Sequence, residues 1–162
     1  MLQLTIRLKG VKEIQKKLQR ETLVLPIVSS AISDLTAFGE AAAKAGAPRD
    51  LGGLQNDIVS EVTPLLGRIH FVGASRGVKA MAVERGRGAG KRQPPASALA
   101  GWASRHGHGS DARTLFVIAR AIGRRGKKGR FFMKKARILI RREMKANTVA
   151  KMADQVEAAW RR

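Results

Sequence analysis

Gly86, Gly88 and Gly90, followed by Lys91, are residue types that could cradle a phosphate, since glycine admits close backbone N–H groups and lysine adds a positive charge. The nucleotide-binding form of such a loop also needs a glycine six residues before the lysine and a Ser or Thr after it to meet magnesium. Arg85 and Arg92 stand at those positions, so the segment reads as a flexible basic loop. His106 and His108, with Asp111 nearby, could offer metal ligands, but no third ligand has suitable local spacing, and a surface turn is expected. Cysteine is absent, which removes thiol nucleophiles, disulfides and Cys-ligated zinc, and makes a reducing setting the default. Only Glu84, Asp111 and Glu143 are acidic between residues 76 and 145, and no pair among them suggests acid–base work. Ser29, Ser30, Ser97 and Ser104 lack a nucleophile-elbow setting and read as exposed or capping helix residues. The expectation is a chain that is not an enzyme and carries no cofactor and no metal.

What the sequence does hold in quantity is positive charge. Thirty-two Lys and Arg against twelve Asp and Glu give a net +20 over 162 residues. Residues 76–145 contain 20 basic and 3 acidic side chains, so this stretch carries +17 of that total. Such self-repulsion destabilises a compact state unless an anionic partner neutralises it. Solubility alone is the blander reading, but solvated helix faces normally mix both signs.

The elements that must position these cations follow from periodicity. Leu2, Leu4, Ile6 and Leu8 alternate with polar residues and predict a half-buried strand. Val11, Ile14 and Leu18 then recur at helical spacing, with Glu13 and Lys17 as an i,i+4 pair. Pro26 predicts a kink or restart before a second apolar stripe of Val28, Ala31, Ile32, Leu35, Phe38 and Ala42, ending near Gly46 and Pro48. Ile58, Ser60 and Val62, then Ile69, Phe71 and Gly73, predict two short antiparallel strands separated by Pro64 and Gly67. Residues 73–93 read as an exposed Gly-rich basic loop in which Ala80 to Val83 could pair with the sheet.

Pro94 and Pro95 open a helix through Ala98, Leu99 and Trp102, and Ser110 is placed to cap the next. On the helix from Asp111 to about Arg125, Leu115, Ile118, Ala119 and Ile122 share one side, with Arg113, Arg120 and Arg124 opposite. The last helix sets Phe132, Ala136, Leu139 and Ile140 against Lys134, Arg137, Arg141 and Lys145, and Val149, Met152, Ala153 and Val156 prolong the stripe. Arg124, Arg125, Lys127, Lys128 and Arg130 make a basic turn between these helices. One domain over 1–162 is expected, with a helical extension at about 146–162. No run approaches the ~18 apolar residues of a membrane span, and residues 1–10 do not read as a signal peptide, so a protein that stays where it is made is expected.

Nucleic acid is one candidate partner. With five Phe, two Trp and no Tyr, base stacking is poorly provided for, so any such contact would go to backbone phosphates and depend strongly on salt.

The order of landmarks resembles a bacteriophage family, the small head-to-tail joining or tail-completion proteins of long-tailed phages, over roughly Val11 to Lys145. Pro48 is followed by Leu51-Gly52-Gly53-Leu54-Gln55-Asn56-Asp57-Ile58, similar to the family's Thr-Gly-x-Leu-x-x-x-Ile with Leu51 in place of Thr. Val72-Gly73 and Lys79-Ala80-Met81-Ala82-Val83-Glu84-Arg85-Gly86 resemble a Val-Gly strand end and a Tyr-Ala-x-x-Val-Glu-x-Gly element. Then come Pro94-Pro95, Leu99 and Trp102, next Ile118-Ala119-Arg120-Ala121-Ile122 with Arg124-Arg125-Gly126, and finally Gly129-Arg130-Phe131-Phe132-Met133-Lys134-Lys135-Ala136.

The resemblance implies an α+β subunit: an N-terminal strand and kinked helix pair, a small antiparallel sheet, and C-terminal helices packed on the sheet. It implies a structural virion protein at the head-tail junction, made in the host cytoplasm. Copies would form a closed ring, expected to be a hexamer, between the connector or neck and the tail-tube or terminator proteins, leaving a DNA channel. Val83, Glu84, Gly86, Arg87, Lys91 and Arg92 would then belong to a ring-interface loop. Arg113, Arg120, Arg124, Arg125, Lys127, Lys128 and Arg130 would meet DNA or acidic protein. A basic nucleic-acid-binding protein that contacts the phosphate backbone is the alternative.

Overall fold

A computed structural model describes residues 3–6, 21–50, 52–72 and 74–161. The chain is α+β and divides into two compact bodies, one of residues 1–80 with 132–162, the other of residues 81–131 inserted between them.

The first body is organised around α1, Glu21–Gly46. This helix runs through Pro26, where a kink or restart is expected. Proline has no N–H to donate to the carbonyl four residues before it, so the helix runs on through Pro26 with one backbone bond fewer. Its apolar stripe buries Val28, Ala31, Ile32, Leu35 and Ala43. Phe38 of the predicted stripe stays 39% exposed. Thr36, fully buried, donates its Oγ1 hydrogen to the Ile32 carbonyl at 2.6 Å, so its hydroxyl is satisfied inside the helix.

The stripe faces a three-stranded antiparallel sheet of order β1-β3-β2, with β1 Gln3–Ile6, β2 Ile58–Thr63 and β3 Leu66–Phe71. Gln3 and Thr5 of β1 are exposed, as the alternation predicts, while the predicted Leu2 and Leu8 lie outside the described residues. The predicted helix of Val11, Ile14 and Leu18, with its Glu13–Lys17 pair, also lies outside them. Between α1 and β2 a single-turn helix, α2, spans Gly53–Asn56. The hairpin of β2 and β3 turns at Pro64 and Leu65, with Thr63 opposite Leu66. Gly67 is no separator but a strand residue: a Cβ there would lie 1.8 Å from Thr36 Oγ1, so the absent side chain is what lets β3 approach α1.

The first body closes with α6, Phe132–Glu143, a π-helical turn Met144–Thr148, and α7, Val149–Trp160. Both helices pack on α1. Phe132 meets Phe71 edge to face, ring centroids 6.1 Å apart, and both are sealed from solvent. The buried face of α6 is Phe132, Met133, Ala136 and Ile140; Leu139, expected in the core, is 41% exposed.

The division between bodies falls inside α3, Ala74–Arg85. Most of the expected loop over 73–93 is therefore helix, and Ala80 to Val83, expected to pair with the sheet, belong to it. The second body continues through β4 Gly86–Arg87, a 3-10 turn Ala96–Leu99, α4 Ala100–Arg105, α5 Ala112–Arg125 and β5 Lys127–Lys128. Asp111, not Ser110, caps α5: its Oδ1 accepts the Thr114 N–H at 2.9 Å. No helix among the described residues is long and apolar enough to cross a membrane.

Candidate contact face

In the second body β4 and β5 pair antiparallel, Gly86 opposite Lys128 and Arg87 opposite Lys127. Two further bonds, Arg130 N–H to the Val83 carbonyl at 2.9 Å and Phe131 N–H to the Glu84 carbonyl at 3.1 Å, extend the contact to where the segment enters and leaves. The sequence sets of residues 83–92 and 124–130 are thereby brought onto one ribbon.

Glycine makes this ribbon. Gly86 and Gly126 adopt φ of 78° and 71°. A Cβ on Gly86 would lie 2.3 Å from the Lys127 carbonyl oxygen, and one on Gly126 would lie 2.4 Å from that of Arg87. The conformation and the space both demand glycine. Gly90 N–H also bonds the Gly123 carbonyl at 3.0 Å, laying the basic loop along the end of α5.

The charge that results is unbalanced. Arg120, Arg124, Arg125, Lys127, Lys128 and Arg130 are exposed, as are Lys91, Arg92 and, in the first turn of α5, Arg113. Among the described residues none of these has a carboxylate in ion-pair range. The register sets Arg87 directly across from Lys127, an unfavourable like-charge pairing, and the Arg87 guanidinium donates to the Arg92 carbonyl. Arg124 and Arg125 sit at the C-terminal end of α5, where the helix dipole favours cations.

Two expected interface residues are placed differently. Glu84 is buried at 5% exposure and Val83 is half-buried. Gly86 and Arg87 are half-buried in the ribbon.

The division of α5 into an apolar and a basic side is not clean. Leu115, Ala119 and Gly123 are buried, but Phe116 is 48% and Val117 59% exposed. These two, with Ala121, Arg120, Arg124 and Arg125, line an open groove of about 550 Å³. The signal that reveals it is Phe116-Arg120-Arg124, an i, i+4, i+8 run that must share one helix face.

His106 and His108 lie in an exposed turn, as expected. Both rings stack on Trp102, at centroid distances of 4.8 and 5.3 Å, and His106 Nδ1 lies 2.9 Å from the Trp102 carbonyl oxygen. Among the described residues no group of three or more His, Asp or Glu is placed to hold a metal ion. Set against family models, curated proteins and solved structures, the chain matches none of them.

Proposed function

We propose that this chain is a structural subunit of the head-to-tail joint of a long-tailed bacteriophage. Copies close into a ring, taken as a hexamer, that completes the tail and docks it to the connector or neck, leaving a channel for DNA. The reading rests on the order of sequence landmarks, and the observation that carries it furthest is the ribbon. Segments some forty residues apart, one expected at the ring interface and one at the anionic contact, pair in one ribbon whose Lys91, Arg92, Arg124, Arg125, Lys127, Lys128 and Arg130 are exposed with no carboxylate in ion-pair range among the described residues. A face of that kind is suited to assembly, since its repulsion is relieved only when anionic surroundings arrive.

Reversing charge at Arg120 and Arg124 to Glu tests this. Both side chains are exposed, so the variant is expected to fold with unchanged circular dichroism while head-to-tail joining is lost. Normal yields of infectious particles would refute the assignment. Mass measurement of the purified chain is expected to show a closed oligomer.

A second reading, binding of nucleic acid through its phosphates, is favoured by Lys127 and Lys128 exposed on the ribbon beside Arg130. It predicts gel retardation of duplex DNA by the isolated monomer at near-physiological salt, weakening steeply as salt rises. Ring formation without retardation favours the joint.

A further inference from the structure

The α5 groove and the ribbon differ in what they could bind. Lys127, Lys128 and Arg130 put charge on the ribbon, with Phe131 exposed beside Arg130, whereas on α5 Arg120, Arg124 and Arg125 line one groove with Phe116, Val117 and Ala121. A phosphate backbone would satisfy the three guanidinium groups and leave Phe116 and Val117 uncovered. Burying such side chains is favourable, and aromatic residues with Arg are the pairing enriched at the centres of protein interfaces. The small Ala121 leaves the hollow between them.

From this we infer that the α5 groove is a docking site for an acidic segment of a partner protein, one whose aliphatic side chains cover Phe116 and Val117 while its carboxylates pair with Arg120, Arg124 and Arg125. Charge complementarity fixes the sign of the occupant: these arginines have no carboxylate in range among the described residues. Arginine and carboxylate pair bidentately through two parallel hydrogen bonds, which sets the register of the docked segment. The inference rests on reading this face as a contact surface, not on the phage assignment.

The test uses the full chain and three probes: a fluorescent peptide of Glu, Ala and Leu with leucines at i, i+4 and i+7, the same peptide with Ser at the leucine positions, and a duplex DNA. The leucine peptide is expected to bind about tenfold or more tightly than the serine peptide of equal charge. Phe116→Ser with Val117→Ser should abolish that preference and leave the wild-type level of duplex binding, whatever it is, unchanged. Lys127→Glu with Lys128→Glu should not raise duplex binding and should keep the preference. Because Phe116 and Val117 are exposed, their replacement should leave thermal unfolding unchanged, which separates lost docking from lost folding.

Equal binding of both peptides would overturn the inference. So would loss of DNA binding in the Phe116/Val117 variant, or loss of self-association there, which would make the groove a contact between copies. A chain that shows the leucine preference yet stays monomeric and joins no tails sinks the ring and leaves this site standing. A ring-forming chain that ignores the leucines does the reverse.

Discussion

In the first body Phe71, Phe132, Ile32, Leu35, Ile58 and Ile69 are sealed from solvent, whereas the apolar residues buried in the second body, among those described, are Ala103, Leu115 and Ala119. The first is held by packing of large side chains, whereas the second combines the short β4–β5 pairing with a 3-10 turn packed on α5 and buries few large apolar groups. A body that spends few large apolar groups on its interior can leave Phe116, Val117 and its cations at the surface. The well-packed core and the exposed cations thus fall to different parts of one chain.

The comparison breaks most visibly at Phe132. Phe132→Ala removes a fully buried ring and is expected to cost about 3–5 kcal/mol, read from the denaturant midpoint. A cost below ~1 kcal/mol would mean the first body is not held by packing. In the second body Gly126→Ala forces a side chain into a positive-φ position against the Arg87 carbonyl, for about 1–3 kcal/mol. Hydrogen exchange should quicken over 83–92 and 124–131 while residues of α1 stay protected. Uniform quickening would show that the bodies do not differ in this way.

A smaller effect is expected from Asp111→Ala. Backbone and side-chain hydrogen bonds from Thr114 hold the Asp111 carboxyl below its ordinary value, so the variant should fray the start of α5, seen as faster amide exchange near Thr114. The smallest concerns acid. Partial burial pushes Glu40 up, but hydrogen bonds from Lys44 and Ser60 outweigh it and hold the carboxyl below 4.5. Its stabilising contribution is present above 4.5 and is lost as pH falls through the lowered folded value. Wild type should therefore lose slightly more stability on acidification across that range than Glu40→Gln, in parallel thermal melts.

The first body was largely legible because burial writes periods into sequence. The β2–β3 alternation and the α1 stripe both point to the core the structure has. The exceptions have local causes: the helix runs through Pro26 at the cost of one backbone bond, and Gly67 reads as a turn residue when its real task is to admit Thr36. The ribbon was not legible, since two strands of two residues leave no period and glycine spacing alone says nothing about pairing partners. Residues 74–85 run into a glycine-dense stretch whose composition masks the period of α3. Phe116 and Val117 give no separate signal, because a helix's buried side and its uncovered apolar side draw on the same alphabet.

The hydrogen bond from Arg130 to Val83 has a consequence for how such a chain could change over time. It fastens the two ends of residues 84–129 side by side, so the host path through α3 and α6 need not lengthen or shorten when that segment is exchanged. Excising 84–129 in favour of a short linker should leave a miniature that still melts cooperatively. On the contact role proposed for that segment, a lineage could refit its attachment to new neighbours by grafting there, without renegotiating the rest.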